Sequence, residues 1–206
     1  MSYEATSTRK KLNVRYMVQI GMLGGVATLL MLFEIPLWFA PSFYEIDLSE
    51  VAVLVGTFSM GPIAGIMIEA IKILLNFVLN GTMTAGIGEF ANLLLGISLV
   101  VPAGMIYKKN KTRKGAAIGL LVGTLAMTIV GASVNAFVLL PVYATAFGMP
   151  METLVGMGTV VNPAITGLGS FVMLAVVPFN ILKGIVVSLV TLLIYKKLSP
   201  ILKPYR

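Results

Sequence analysis

Val177-Pro178-Phe179-Asn180-Ile181-Leu182-Lys183 lies inside the last apolar segment of the chain, residues 166–195, in which Lys183 is the only charged side chain. An ionisable group at membrane depth costs about 2.5–3.5 kcal/mol on insertion scales, so it faces a bundle interior or a polar cavity. Asn180 stands three residues earlier and therefore shares its helix face. The fold turns on what the rest of the chain sets opposite these two groups.

Composition places them in a membrane. Of the 206 residues, 58% are hydrophobic and 11% charged, with a mean hydropathy of +0.97. A soluble domain carries about a quarter charged residues. Long apolar runs such as 17–33 and 115–140 suit helical spans of about 20 residues, not the short alternating strands of a barrel. The expectation is an all-α integral membrane protein. The chain has no cysteine and no histidine, which removes disulfides, thiolate metal sites, histidine catalysis and most zinc chemistry. It has no G-x-x-x-x-G-K-[ST] loop and hence no sign of using ATP by itself. Ser170 or Ser188 with Lys183 is a conceivable Ser–Lys pair, but nothing marks either serine as activated. No catalytic residue and no metal site are expected, and the chain is read as not an enzyme.

The net charge of +7 is concentrated in three clusters: Arg9, Lys10, Lys11 and Arg15; Lys108, Lys109, Lys111, Arg113 and Lys114; and Lys196, Lys197, Lys203 and Arg206. Only Lys72 and Lys183 lie elsewhere. The positive-inside rule makes all three clusters cytoplasmic, so the basic character reports topology and not nucleic-acid binding. An even number of crossings must then separate each pair of clusters. That gives one domain, 1–206, with six spans at about 16–34, 48–60, 62–80, 87–107, 115–140 and 166–195, and both termini cytoplasmic. The second span is short and is expected where the bilayer is thin, turning back at Met60-Gly61-Pro62. The first apolar run is too long for a cleaved signal peptide.

Three loops, 34–47, 80–86 and 141–165, fall outside and contain no Lys or Arg. The first is rich in aromatics and proline. It reads either as an interfacial aromatic belt or as a lid stiffened by its prolines over a flat ligand. Glu69, Lys72, Asn76 and Asn80 form one stripe on the third span, with Glu69–Lys72 read first as an internal ion pair. Glu89 and Asn92 share a face at the outer mouth of the fourth span. Thr124, Thr128 and Ser133 are expected to bond backbone, whereas Asn135 is costlier to hide. Asn135, Asn180, Lys183, Glu89 and the first loop thus outline an outward-facing pocket whose amides suit a heterocycle with imide or pyrimidine edges. The alternative role for Lys183 is a purely structural pair with Glu89.

Several motifs then occur together and in order: Leu32-Phe33-Glu34-Ile35-Pro36, the loop 41–50, Met60-Gly61-Pro62, Glu69-x-x-Lys72, Gly88-Glu89-x-Ala91-Asn92, Asn135 and Pro178-Phe179-Asn180-x-x-Lys183. This set, spread over residues 17–195, resembles the riboflavin-binding S components of energy-coupling factor (ECF) transporters. The resemblance implies a six-helix bundle in a bacterial plasma membrane. It would bind riboflavin, with FMN as a further candidate ligand and no cofactor, and would work with a transmembrane T component and two cytosolic ATPases. By position, Asn135, Asn180 and Lys183 would hydrogen-bond the flavin. Phe43, Tyr44, Glu45 and Asp47 from the first loop, Thr82, Thr84 and Gly86 from the second, and Glu89 and Asn92 would complete the site. The family's small-residue coupling surface on the first helix falls at Gly21 and Gly25, where close helix approach is possible; packing within the bundle is the other use of such glycines. An S component for another vitamin such as thiamin, a solitary carrier and an intramembrane enzyme are the competing expectations.

Overall fold

A computed structural model describes residues 14–37, 41, 44–82, 85–146, 148 and 150–202. The described chain runs α1 (Val14–Met31), a two-stranded antiparallel pair β1 (Ile35–Pro36) and β2 (Glu45–Ile46), α2 (Ser49–Met60), α3 (Pro62–Asn80) and α4 (Ile87–Lys109). It continues through α5 (Arg113–Val134), a π-turn (Asn135–Leu139), α6 (Leu140–Ala146) and α7 (Met151–Val161). It closes with α8 (Leu168–Phe171), a second π-turn (Val172–Val176) and α9 (Val177–Leu202). Phe43 and Thr84, both expected at the site, lie outside the described residues, as do the basic residues before Val14 and after Leu202.

Among the described residues, five helices are long and apolar enough to cross a membrane: α1, α3, α4 and the two composite helices Arg113–Ala146 and Leu168–Leu198. The expected spans 16–34, 62–80, 87–107, 115–140 and 166–195 each fall on one of them. The expected outer loop 141–165 is corrected: it holds the end of the first composite helix and the 11 residues of α7.

The remaining expected span, 48–60, is α2. Its 12 residues give a rod of about 18 Å, well short of the roughly 30 Å hydrocarbon layer. It is nevertheless the centre of the bundle. Every residue from 49 to 58 is buried, with α1, α3, α4 and α9 packed around it. The turn into α3 takes a single residue, Gly61, whose φ of 104° excludes most side chains. Pro62 then occupies the first turn of α3, where its missing N–H is harmless.

Between apolar helices in lipid there is little hydrophobic drive, so close packing and hydrogen bonds must hold them. The α4–α5 seam shows how. The α5 N-terminus is capped by Thr112, whose Oγ1 accepts from the Gly115 N–H at 3.0 Å. Gly119 and Gly123 then bring α5 against the backbone carbonyls of Ala103 and Leu99. Leu54, Ile68, Leu99, Leu120 and Val187 fill the core around α2. Phe58, Tyr107 and Tyr195 close one end, with Phe58 and Tyr107 ring centroids 4.5 Å apart. A second apolar cluster of Tyr44, Leu140, Leu154, Phe171 and Phe179 lies toward the other end of α9. Val78, Ile129, Phe137 and Leu193 point outward.

Substituting Gly123→Leu forces a side chain into the Leu99 carbonyl. Overpacking of this kind costs about 1–3 kcal/mol, and the loss should appear as a lower thermal unfolding midpoint in detergent. An unchanged midpoint would show that the α4–α5 seam is not closely packed.

Candidate ligand-binding site

The charges that the sequence leaves at membrane depth are paired in two groups. Lys72 of α3 lies 2.6 Å from Glu69 Oε1 and 2.6 Å from Glu50 Oε1, all three side chains being almost fully buried. The Glu69–Lys72 pair is as expected. Glu50, from the first turn of α2, completes it and ties that short helix to α3. Gly96 of α4 makes the space, since a Cβ there would meet the Glu69 carboxylate.

Lys183 forms the second group. Its Nζ donates to Asp47 Oδ2 at 2.9 Å. The other Asp47 oxygen accepts from the Ser49 N–H at 2.8 Å, at the start of α2. Burial alone would push the Asp47 carboxyl up, but Lys183 and, farther off, Lys72 hold it well below the ordinary carboxylate range. The alternative pairing of Lys183 with Glu89 is thereby corrected. Glu89 Oε2 instead accepts from Thr82 Oγ1 at 3.1 Å, and Thr82 Oγ1 accepts from the Gly86 N–H. Thr82 and Gly86 therefore shape the turn into α4.

Above these pairs opens a cavity of about 840 Å³, within the roughly 300–1,000 Å³ range of ligand pockets. Tyr44, Glu45, Asp47, Glu89, Asn92, Asn135, Asn180 and Lys183, all expected at the site, line it together. Thr82 and Gly86 are not among its lining residues. Sequence reasoning did not assign Glu34, Glu50, Asn76, Asn80, Tyr143 or Phe179 to a ligand site, and the structure adds them. Asn76 and Asn80 sit on the polar stripe that the sequence displays and Phe179 lies in the motif around Asn180, whereas Tyr143 carries no sequence signal.

The two asparagines are held differently. Asn135 Nδ2 donates to the Gly131 carbonyl at 2.9 Å, and its Oδ1 accepts from the Tyr44 hydroxyl at 2.6 Å. Tyr44 is thus buried within the bundle, with its ring against those of Phe171 and Phe179. Asn180 Nδ2 donates to the Val176 carbonyl at 2.9 Å, while its Oδ1 is buried without a hydrogen-bond partner. Glu50 Oε2 is likewise buried and unpartnered. Such atoms are uncommon in native interiors, and both of these belong to residues that line the cavity.

Both composite helices are interrupted beside the cavity. The Leu140 N–H bonds back to the Asn135 carbonyl and the Val177 N–H to the Val172 carbonyl, each five residues earlier. Each π-turn is followed at once by a proline, Pro141 or Pro178, which has no N–H and crowds the carbonyl four residues before it. The prolines are the sequence signal for these turns, which are frequent at functional sites.

At the rim, β1 pairs with β2 in the register Ile35↔Ile46 and Pro36↔Glu45. Burial, a hydrogen bond with Glu45 and repulsion from Glu45 and Asp47 push the Glu34 carboxyl up to about 7, against the smaller pull of Lys183. On α1, Gly21 and Gly25 have no atom near the place a Cβ would occupy, whereas Gly24 faces Ile71 of α3. Among the described residues, nothing packs within 4 Å of the Cβ position at Gly21 or Gly25.

The profile of the ECF transporter, substrate-specific component, matches residues 15–195. The chain belongs to this family. The riboflavin transporter RibU of Staphylococcus aureus (strain TCH60) is 36% identical over 95% of this chain and 97% of its own length. The riboflavin transporter FmnP of Bacillus subtilis (strain 168) is 33% identical, with the same coverage of each chain. RibU of Streptococcus thermophilus is 30% identical, over 92% of this chain and 85% of its own. A solved structure of the S component of a bacterial ECF transporter superposes with a TM-score of 0.72 at 36% identity, covering 93% of this chain and 99% of that one. As an ECF S component this chain is a multi-pass membrane transport protein and not an enzyme. The sequence resemblance is borne out.

Removing one partner of the Lys183–Asp47 pair leaves a buried charge, which costs about 3–5 kcal/mol. Lys183→Met should therefore destabilise the detergent-solubilised protein strongly. Lys183→Met with Asp47→Asn should recover a good part of that loss. Additive losses in the double variant would show that the pair does not couple α9 to the start of α2.

Proposed function

We propose that this S component captures riboflavin at the outer face of a bacterial plasma membrane. Uptake follows when a transmembrane T component and two cytosolic ATPases drive it. Riboflavin enters as transported ligand, with no cofactor involved. In this reading the chain crosses six times, α2 making the short sixth crossing inside a sheath of longer helices. Lipid never meets it, so its length need not match the bilayer. Both termini and the basic residues around Lys108 and Lys196 are then cytoplasmic, and the cavity opens outward.

The observation that carries the reading is Asn180, which lines the cavity with Lys183 and whose Oδ1 is a buried acceptor without a hydrogen-bond partner. An isoalloxazine ring offers an imide N–H flanked by two carbonyl oxygens. Asn180 Oδ1 accepts from such an N–H, while the Lys183 ammonium, steadied by Asp47, donates to a carbonyl. Asn135, oriented by Tyr44, sets a second amide on the same cavity. Glu45, Glu89 and Asn92 line the cavity, Tyr44 and Asp47 hold Asn135 and Lys183 in place, and the loops that carry Phe43, Thr82, Thr84 and Gly86 close over the ligand. The riboflavin transporters at 30–36% identity support this substrate over thiamin or another vitamin.

Protein purified in mild detergent should carry flavin absorption bands in near one-to-one ratio, or should quench added riboflavin fluorescence. A colourless protein that does neither leaves the fold standing and the substrate wrong. Asn180→Ala removes the acceptor and should weaken riboflavin binding about tenfold or more, since a buried hydrogen bond left unmade costs about 1–3 kcal/mol. Full affinity in that variant would displace the flavin from this part of the cavity.

The outward faces of Gly21 and Gly25 fit a coupling surface on which the T component packs. Gly21→Leu with Gly25→Leu should abolish uptake in cells yet leave riboflavin binding by the isolated subunit within twofold or so of its original strength, because among the described residues nothing lies within 4 Å of the Cβ position at either glycine. Normal uptake would exclude this surface.

A further inference from the structure

Among the described residues, the charged groups lining the cavity are Glu34 beside β1, Glu45 of β2, Asp47, Glu50 of α2, Glu89 of α4 and Lys183 of α9. The chain has no Lys or Arg between Arg15 and Lys72, between Lys72 and Lys108, or between Lys114 and Lys183. No loop at this end of the bundle therefore supplies a cation. The two lysines within reach are already engaged, Lys72 by Glu50 and Glu69 and Lys183 by Asp47.

Anions are also received at helix N-termini, and two open near this cavity. That of α2 donates the Ser49 N–H to Asp47 and carries Glu50 in its first turn. That of α4 carries Glu89 in its first turn. Asp47 already takes the Ser49 N–H at the first, and Glu89 sets a carboxylate in the first turn of the second. Glu34 stands exposed at the rim, and it lines the cavity together with Glu45. A phosphate monoester carries about −1.5 to −2 charges at pH 7 and ordinarily seeks Arg, Lys or a free helix N-terminus.

We propose that the Glu34–Glu45 carboxyl pair at the rim is a charge filter that selects the neutral vitamin over its phosphate monoester. The proposal rests on the riboflavin reading of the same cavity. The acceptor Asn180 Oδ1 recognises the ring system, which vitamin and ester share, so discrimination falls to the rim. There the paired carboxyls face whatever charge the tail of the ligand carries. Glu34 is thus a specificity residue and not one that holds the ring.

The test compares dissociation constants for riboflavin and riboflavin 5′-phosphate, measured by fluorescence quenching on the purified full chain at about pH 8.5. At that pH the phosphate is a dianion and Glu34, ionising near 7, is charged. The ratio of the phosphate constant to the riboflavin constant should fall about fivefold in Glu34→Gln and about 25-fold in Glu34→Lys, following the charge removed. Glu34→Asp should keep the original ratio. In the unsubstituted protein, raising salt from about 50 to about 500 mM should also lower the ratio, because a rim charge is screened. A ratio that ignores both the substitutions and salt overturns the filter while leaving riboflavin as substrate. So does a ratio that falls equally in Glu34→Asp. Failure of the unsubstituted protein to bind riboflavin overturns the underlying reading instead.

Discussion

Every charge held at depth in this bundle must find a partner inside it, and that constraint arranges the rest. An unpaired ammonium or carboxylate in a low-dielectric interior costs several kcal/mol. Lys72 therefore draws Glu50 down onto Glu69, and Lys183 draws Asp47 across from the first loop. Asp47 and Glu50 flank the start of α2. Two lysines on two different helices thus fix one end of a helix too short to span a bilayer alone, and the longer helices close around it.

The same pairs set the electrostatics of the site. Among the described residues, the charged groups that line the cavity are carboxylates and the Lys183 ammonium, which Asp47 holds, and they stand beside the amides of Asn135 and Asn180. Tyr44 locks Asn135 through a 2.6 Å hydrogen bond, while Asn180 keeps one acceptor open. The first π-turn begins at Asn135, with Pro141 beyond it, and the second ends at Val176, whose carbonyl accepts from Asn180 just past Pro178. A proline that cannot donate and an asparagine that must be satisfied meet where the helical ladder is already broken. Irregular backbone at membrane depth is tolerated where it lines a cavity.

Sequence and structure part company where long-range partners are concerned. The Glu69–Lys72 pair was legible because both residues lie on one helix face. Asp47 as partner of Lys183 was not, since 136 residues separate them and Glu89 satisfied the same sign rule. Composition alone left Tyr44 in an aromatic loop of two possible uses, because aromatics at an interface and over a ligand look alike, and only the family resemblance assigned it to the site. The 141–165 segment read as loop, yet α7 folds there against Ile165 and Phe171, in a cluster assembled from three parts of the chain.

What the sequence determined by itself follows from local and compositional physics. Long apolar runs and low charge require membrane helices, and the segregation of basic residues fixes an expected orientation. The ordered motifs around Glu34, Glu69, Gly88 and Asn180 point to one family of transport subunits. Only the tertiary structure decided which carboxylate meets which lysine, which asparagine keeps a free acceptor, and that Gly21 and Gly25 face outward while Gly24 faces inward. A side chain's type and its helical phase are local properties. The neighbour that neutralises or satisfies it comes from another helix, and only packing brings the two together.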